Sequence, residues 1–439
     1  MSADGDSWPG TVVSVPRREP VNVCDLEVLT VTPTSATITW TTRSTWCGPV
    51  PYPLETDTQL WCSASGAPLR LVHDDPTPTA HHRVHLTGLE PGCSYRFRAV
   101  SAGVEARPSL RPTRSPTAPE ARSQFTTLVP PPGRLLTTIA VTNDIHIGEH
   151  RQGIVLGPLP TSVAPTAQQC DYPQMMVGAT LQELHAAGYP VLVVNGDITY
   201  GNRPEEVATA KQLLDSYGVA GTDWLATRGN HDHPGRTDPF GETFCPYQSL
   251  QSLQDSSGLR ILGIDSTKGS GGGWIRDDQY EQIRSVLLAD PDRPTLVTSH
   301  HPATNHAAWS SPSGPGFMLR SRDRIRLQSL EHSAQGVFAH VTGHTHRMKV
   351  NRRDIGDRVH HWENAACAAY PGGYTLVQVH EGGFMVNFHR PDDDRVREWM
   401  FRSRWQSLSV GAHIMLGSVH DRNHVVLADM SGLHPAGSA

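Results

Sequence analysis

The chain has 439 residues, 37% hydrophobic and 18% charged, with 37 lysines and arginines against 43 aspartates and glutamates for a net charge of −6. That length exceeds one ordinary core, the composition excludes a disordered chain, and no basic run or bilayer-length apolar run points to nucleic acid or membrane. Histidine is the outlier: there are 24, many in tight clusters, the distribution a metal enzyme produces.

In chain order, residues 1–20 read as an N-terminal extension with no basic start followed by an apolar run, hence no secretory signal. The seven cysteines form no CxxC pair and are odd in number, which favours a reducing, cytoplasmic setting. Four of them (Cys24, Cys47, Cys62, Cys93) lie in the first hundred residues, where one or two disulfides would form if the chain were exported by another route.

Residues 21–128 alternate apolar and polar positions between prolines and glycines. In SATITWTT, Ala36, Ile38 and Trp40 fall on one face of a strand while Thr37 and Thr39 face away, the signature of a half-buried sheet. HRVHLTGLEPGCSYRFRAV continues the pattern through Val84, Leu86, Tyr95, Phe97 and Ala99. A proline- and serine-rich loop spans 109–123, and LVPPPGR, with its stiff proline run at 129–134, is a linker. Beyond it, apolar runs alternate with segments of three- and four-residue apolar spacing, such as MMVGATLQELHAAG, PEEVATAKQLLDSYG, DDQYEQIRSVLLAD and RIRLQSLEHSAQG. That alternation predicts an α/β domain.

Five polar motifs in this second region each follow a predicted strand. LLTTIAVTNDIH delivers Asp144 and His146, YPVLVVNGDITY delivers Asp197, and DWLATRGNHD delivers Asn230 and His231. PTLVTSHHP delivers His300 and His301, and GVFAHVTGHTH delivers His344 and His346. Loops at the carboxyl ends of strands in α/β sheets converge on ligands. Alternate residues of an extended segment project to one side, so Asp144 with His146, and His344 with His346, are expected to form two-pronged clamps. Carboxylates, imidazoles and one amide oxygen make a mixed donor set suited to manganese, iron or zinc and unlike thiolate structural sites. Seven donors are too many for one ion, and they divide into two four-ligand sites sharing Asp197.

The ordered set DxH, GD, GNHD, SHHP and GHTH resembles the calcineurin-like metallophosphoesterase superfamily from about residue 136 to 390. The resemblance implies an α/β (α+β) fold over residues 135–392, a four-layer αββα sandwich with two mixed sheets face to face and helices outside. It assigns Asp144, His146, Asp197 and His346 to one di- or trivalent metal ion, and Asp197, Asn230, His300 and His344 to a second. His231 then faces the leaving group, Gly229 lets the backbone turn close to the metals, and Asp232 orients His231 by accepting a hydrogen bond from its ring. The implied activity is hydrolysis of a small-molecule phosphate monoester or diester by in-line attack of water activated between the ions. The alternative is a binding or scaffold protein that keeps the fold. GLEPGCSY resembles the corner of a fibronectin type III domain, with Tyr95 as its tyrosine and Trp40 as the core tryptophan; such a small β-sandwich offers a surface for a protein or self contact.

GDITY also resembles the GDxxY motif of purple acid phosphatases, in which the tyrosine binds ferric iron, but those enzymes usually have glycine where this chain has His146. Tyr200 is thus either a ligand or a pocket-lining residue. His301 is a candidate pocket wall or phosphate contact, His233 reads as loop structure, and KGSGGGW (268–274) as a flexible loop. His150, His306, His360 and His361 have no assigned role. Residues 393–439 read as a C-terminal extension, and Arg422 or His424 would reach substrate if it folded over the site mouth.

Overall fold

In a computed structural model, residues 20–45, 52–108, 117–153, 162–169, 171–269, 271–356, 358–409 and 411–436 are described. Most of the N-terminal extension, the loop at 109–116, Cys47, Cys170 and Ser270 lie outside them. Among the described residues no helix is long and apolar enough to cross a membrane. Cys24, Cys62, Cys93, Cys245 and Cys367 are free.

The first unit is a β-sandwich. One sheet joins Val21–Val31, Ala36–Ser44 and His81–Leu86; the other joins Arg70–Thr79, Thr56–Ala64, Ser94–Ser101 and Val104–Glu105, with Gln124–Thr126 also paired to Ser94–Ser101. Ala36, Ile38 and Trp40 are buried between the sheets with Val84, Leu86, Tyr95, Phe97 and Ala99, as the alternation requires. Trp40 lies flat on His82, with ring centroids 5.0 Å apart, and its Nε1 donates to Ser101 Oγ. The hydroxyl of Tyr95 accepts the backbone N–H of Glu90 at 2.8 Å, which is the expected tyrosine corner.

The half-buried reading of this sheet fails. Thr37 and Thr39 are only 2% and 9% exposed, because the face they share docks on the second unit. Thr30 Oγ1 donates to the Phe388 carbonyl, Asn387 Nδ2 donates to the Val31 carbonyl, and Arg83 pairs with Asp392. An alternating pattern reports which residues avoid water, but threonine on an outer face hides whether protein or solvent covers it.

The second unit has two six-stranded sheets. The first runs Trp224–Thr227, Val191–Asn195, Leu135–Thr142, Tyr374–His380, Gly383–His389 and Asn423–Leu427, parallel on one side of the order and antiparallel on the other. The second runs Leu250–Gln254, Arg260–Ile264, Thr295–Ser299, Val337–Thr342, His360–Glu363 and Lys349–Asn351. Side chains of its strands alternate between two cores: Ile261, Leu296, Ala339 and Val341 join the cluster of the first sheet, whereas Leu262, Ile264, Val297 and Val337 meet Ile283, Leu287, Leu327 and Leu330 of the helices Asp277–Ala289 and Ser321–Ser333. Helices Tyr172–Ala187 and Pro204–Asp215 cover the first sheet. This is the expected four-layer sandwich, and all four helical segments read from spacing are helices.

The described part of the C-terminal extension is packed into the second unit. Asn423–Leu427 is the edge strand of the first sheet, and the backbone N–H of Met348, two residues past His346, donates to Met415. Periodicity could not show this, since a strand's sheet partner is a long-range choice.

Candidate metal centre

All five motifs lie where parallel strands end. Asp144 and His146 follow Leu135–Thr142, Asp197 follows Val191–Asn195, Asn230 and His231 follow Trp224–Thr227, His300 follows Thr295–Ser299, and His344 and His346 follow Val337–Thr342. Asp144 and His146 join one donor group by a different route from the one the alternation suggests, whereas His344 and His346 part, one to each group. None of these pairs is extended: Asp144, His146, Asp197, His344 and His346 have φ of 50°, 48°, 48°, 69° and 55°. Left-handed backbone is costly for residues with a Cβ, and its concentration at one site marks geometry held by the surrounding fold.

The glycines of the motifs explain how the loops approach so closely. A Cβ on Gly229 would lie 2.2 Å from Asp197 Oδ1, one on Gly196 would lie 2.3 Å from His300 Nδ1, and one on Gly343 would lie 2.8 Å from Asp144 Oδ2. Each glycine is the floor under a neighbouring loop's candidate ligand.

Two groups of donors meet at Asp197. Asp144, His146 and His346 form one, with His346 Nε2 3.2 Å from Asp144 Oδ1 and 3.3 Å from His146 Nε2. Asp197, His300 and His344 form the other, with His300 Nε2 3.2 Å from both Asp197 Oδ2 and Asn230 Oδ1. His146 and His231 approach Asp197 from the first side. Asp144 Oδ1 and His344 Nε2 are buried without a hydrogen-bond partner. An orphaned buried polar atom costs about 1–3 kcal/mol, so converging carboxylate and imidazole atoms left bare fit a shared cation.

The electrostatics agree. Burial pushes the Asp144 and Asp197 carboxyls up, but His346 beside the first and His300 beside the second outweigh it and hold both well below the usual range. Burial lowers the His300 imidazole, yet Asp197 and Asp144 raise it to about 9, while burial takes His146 and His344 down to about 3. The buried carboxylates demand positive charge, and protons and metal ions compete to supply it.

The surroundings contain residues that motif reading passes over. His300 Nδ1 donates to the Asn195 carbonyl at 3.2 Å, which presents Nε2 to the site, and Asn195 Nδ2 donates to the Ser299 carbonyl. Asn143 Nδ2 donates to Asp144 Oδ2, and Asn364 Nδ2 donates to Asn143 Oδ1. Glu363 takes Arg347 on both oxygens and the hydroxyl of Thr345, which lies between His344 and His346. Glu149, half-buried near His346 and His231, accepts from the Tyr172 hydroxyl, and partial burial raises its carboxyl. The asparagines at strand ends were a readable signal; Glu149 and Glu363 were not, because their partners come from distant segments.

His231 donates from Nδ1 to the Tyr200 carbonyl at 2.9 Å, a bond that fixes the proton on Nδ1 because a carbonyl only accepts. Asp232 does not orient that ring. It is fully buried and accepts from the backbone N–H groups of Ile198, Thr199 and Gly229 and from the Thr199 hydroxyl, so it ties the Asp197 loop to the Asn230 loop. Burial and then Asp197 raise its carboxyl to about 6. Tyr200 is 42% exposed and stacks its ring on His231 at 5.4 Å, while His146 sits in the donor cluster.

His301 is completely buried, bonded through Nδ1 to Ser266 Oγ and packed 4.6 Å from the His344 ring, so it backs the site and presents no wall to substrate. His233 packs edge-on against Tyr247. The glycines of 268–274 are packed: a Cβ on Gly273 would lie 2.6 Å from His301 Cγ, and one on Gly272 would lie 2.4 Å from the Gly316 carbonyl. Arg422 and His424 are 1% and 2% exposed and cannot meet substrate; Arg422 donates to the Val28 and Leu29 carbonyls of the first unit, and His424 bonds to His360.

Comparison with known proteins agrees with this geometry. Residues 137–348 match the calcineurin-like phosphoesterase family and residues 22–118 match the purple acid phosphatase N-terminal domain. Glycerophosphodiester phosphodiesterase GpdQ of Enterobacter lignolyticus is 33% identical over 169 residues, 37% of this chain and 57% of that protein. A probable cyclic nucleotide phosphodiesterase of Rhodococcus erythropolis is 27% identical over 161 residues, 35% of this chain and 50% of that protein. The matches thus span about half the length of these relatives. A dimetal phosphatase from Danio rerio has 14% identity and a TM-score of 0.46, covering 59% of this chain and 98% of that one, too remote to bear on chemistry. Calcineurin-like phosphoesterases use dinuclear metal centres, and this chain carries a calcineurin-like phosphoesterase domain preceded by a purple acid phosphatase N-terminal domain.

Proposed function

We propose that the chain is a metal-dependent phosphodiesterase. The observation that carries this reading is the pair of donor groups joined at Asp197, with bare atoms at Asp144 and His344. Asp144, His146, Asp197 and His346 would hold one ion, and Asp197, Asn230, His300 and His344 the other, with manganese, iron or zinc suited to this oxygen and nitrogen set. Bound there, two such ions supply Lewis acidity, activating water and neutralising phosphate oxygens.

The protein's own groups do the rest. The Tyr200 carbonyl holds His231 with Nε2 free, and a proton on that nitrogen passes to the departing alkoxide, a contribution of about 10²–10⁴-fold. A diester is favoured over a monoester by charge. The strongest electrostatic influences on Asp144, Asp197, His300 and His344 come from one another and from neighbouring histidines, with no lysine or arginine among them. A dianionic monoester would lack a cationic clamp and face Glu149, whereas a monoanionic diester asks for less. The two curated relatives are named as phosphodiesterases, which supports the same choice.

Turnover of bis-p-nitrophenyl phosphate and p-nitrophenyl phosphate with added manganese tests this. Higher kcat/KM for the diester is expected. A monoester preference would reverse the substrate reading, and two bound ions without hydrolysis of either would identify a binding protein.

A further inference from the structure

A second set of metal-ligating side chains lies apart from the candidate centre. His340 on Val337–Thr342 and His361 on His360–Glu363 are register partners on neighbouring parallel strands. Glu331 comes down on them from the helix Ser321–Ser333. His340 and Glu331 are fully buried and His361 is 3% exposed. Glu331 Oε1 is 2.7 Å from His340 Nδ1, and Oε2 is 3.7 Å from His361 Nε2. Among the described residues, these two histidines are the only ion-pair partners of Glu331.

The polar atoms of this cluster converge without a full set of hydrogen bonds. The Ser299 hydroxyl donates to the His301 carbonyl at 3.2 Å, which leaves its oxygen, 2.8 Å from His340 Nε2, able to accept from that nitrogen. With its proton on Nε2, His340 turns the Nδ1 lone pair toward the carboxylate, an arrangement that a cation between them satisfies. Despite the 2.7 Å separation the two make no hydrogen bond, and both Glu331 oxygens, His340 Nδ1 and His361 Nδ1 are buried without one. Lone pair against lone pair in a dry interior is repulsive, and an isolated buried carboxylate is expensive. Arg353, which acts on His361, is not paired with Glu331. Burial, followed by His340, keeps the His361 imidazole well below its usual range, hence neutral and able to ligate.

We propose that Glu331, His340 and His361 form a third metal site, separate from the dinuclear centre, that takes a divalent ion of the zinc type. The two carboxylate oxygens and two imidazole nitrogens supply four donor atoms of the kinds zinc takes. Ser299 serves as the outer partner that fixes the His340 tautomer. The ion would pin the helix to two strands and, through Ser299, steady the backbone of His300 and His301.

The test separates this site from the dinuclear one. The full-length chain carrying Asp197→Asn, stripped of metal and titrated with Zn2+ against a chromogenic chelator, is expected to retain one tight equivalent. Adding Glu331→Gln or, independently, His361→Asn should reduce that to none while circular dichroism stays native. Wild-type protein should hold three ions, and Glu331→Gln alone two. If folded Asp197→Asn protein binds no zinc, or if its one equivalent survives both second substitutions, the site does not exist and a proton shared between His340 and Glu331 takes its place. Failure of the dinuclear reading would instead show as wild-type protein holding a single ion that depends on Glu331.

Discussion

Two regions of this molecule bury charge, and they treat it in opposite ways. Where the β-sandwich meets the phosphoesterase domain, Asp25 and Glu27 face Arg404 and Arg390, and Glu27 also accepts the Tyr370 hydroxyl at 2.7 Å. Both carboxylates have a guanidinium beside them, Arg404 being shared. At the candidate centre Asp144 and Asp197 have histidines, backbone N–H groups and the Asn143 amide, and the strongest influences include no arginine. The interface carries its counter-charges in the sequence; the centre depends on ions from solution.

The largest break in this contrast comes from Asp197→Asn. With the carboxylate common to both donor groups made neutral, hydrolysis should fall to background and bound metal should drop, as read by turnover and elemental analysis. Full metal content with wild-type turnover would end the dinuclear assignment.

His231→Ala should keep its metal and lose about 10²–10⁴-fold in rate on an alkyl phosphodiester, with a smaller loss on a p-nitrophenyl ester whose leaving group needs no proton. Equal losses on both would move His231 to phosphate binding or loop structure.

At the interface, Arg404→Met removes the guanidinium that Glu27 and Asp25 share and should cost about 3–5 kcal/mol, the penalty for breaking a buried pair from one side. Denaturant unfolding would measure it. Turnover per folded chain should be unchanged, which sharpens the division between a paired region and an ion-dependent one.

A gentler probe is pH. Burial lowers His81, at the same interface, and His82, beneath Trp40 inside the sandwich, to about 4 and about 3 from 6.5. Below 6.5 the unfolded chain binds protons that the folded chain refuses, so stability is full above about pH 6.5 and falls toward pH 3–4. His82→Gln should flatten that slope in urea titrations; an unaltered slope would assign acid sensitivity elsewhere.

The smallest effect is expected from Tyr200→Phe. With Tyr200 stacked on His231 and His146 in the donor cluster, iron-loaded protein should lack a tyrosinate charge-transfer band and the variant should lose only a few-fold in rate. A visible band that this substitution bleaches would make Tyr200 an iron ligand.

The donors themselves were legible as short motifs after apolar strands, because a metal site needs particular atoms and strand ends are where an α/β sheet exposes them. The four helices, the tyrosine corner and the packing of Trp40 were likewise local, each set by periodicity or by residues a few positions apart. Tertiary structure decided what those residues touch. Alternation could not tell that Thr37 and Thr39 face a second domain, that Asn423–Leu427 completes a sheet begun near residue 135, or that Asp232 serves backbone amides rather than His231. It also brought Glu331, His340 and His361 together from a helix and two strands with no shared motif. Sequence spacing encodes periods of two and 3.6 residues and local backbone preferences; which buried group finds which partner is fixed only when distant segments pack and exclude water.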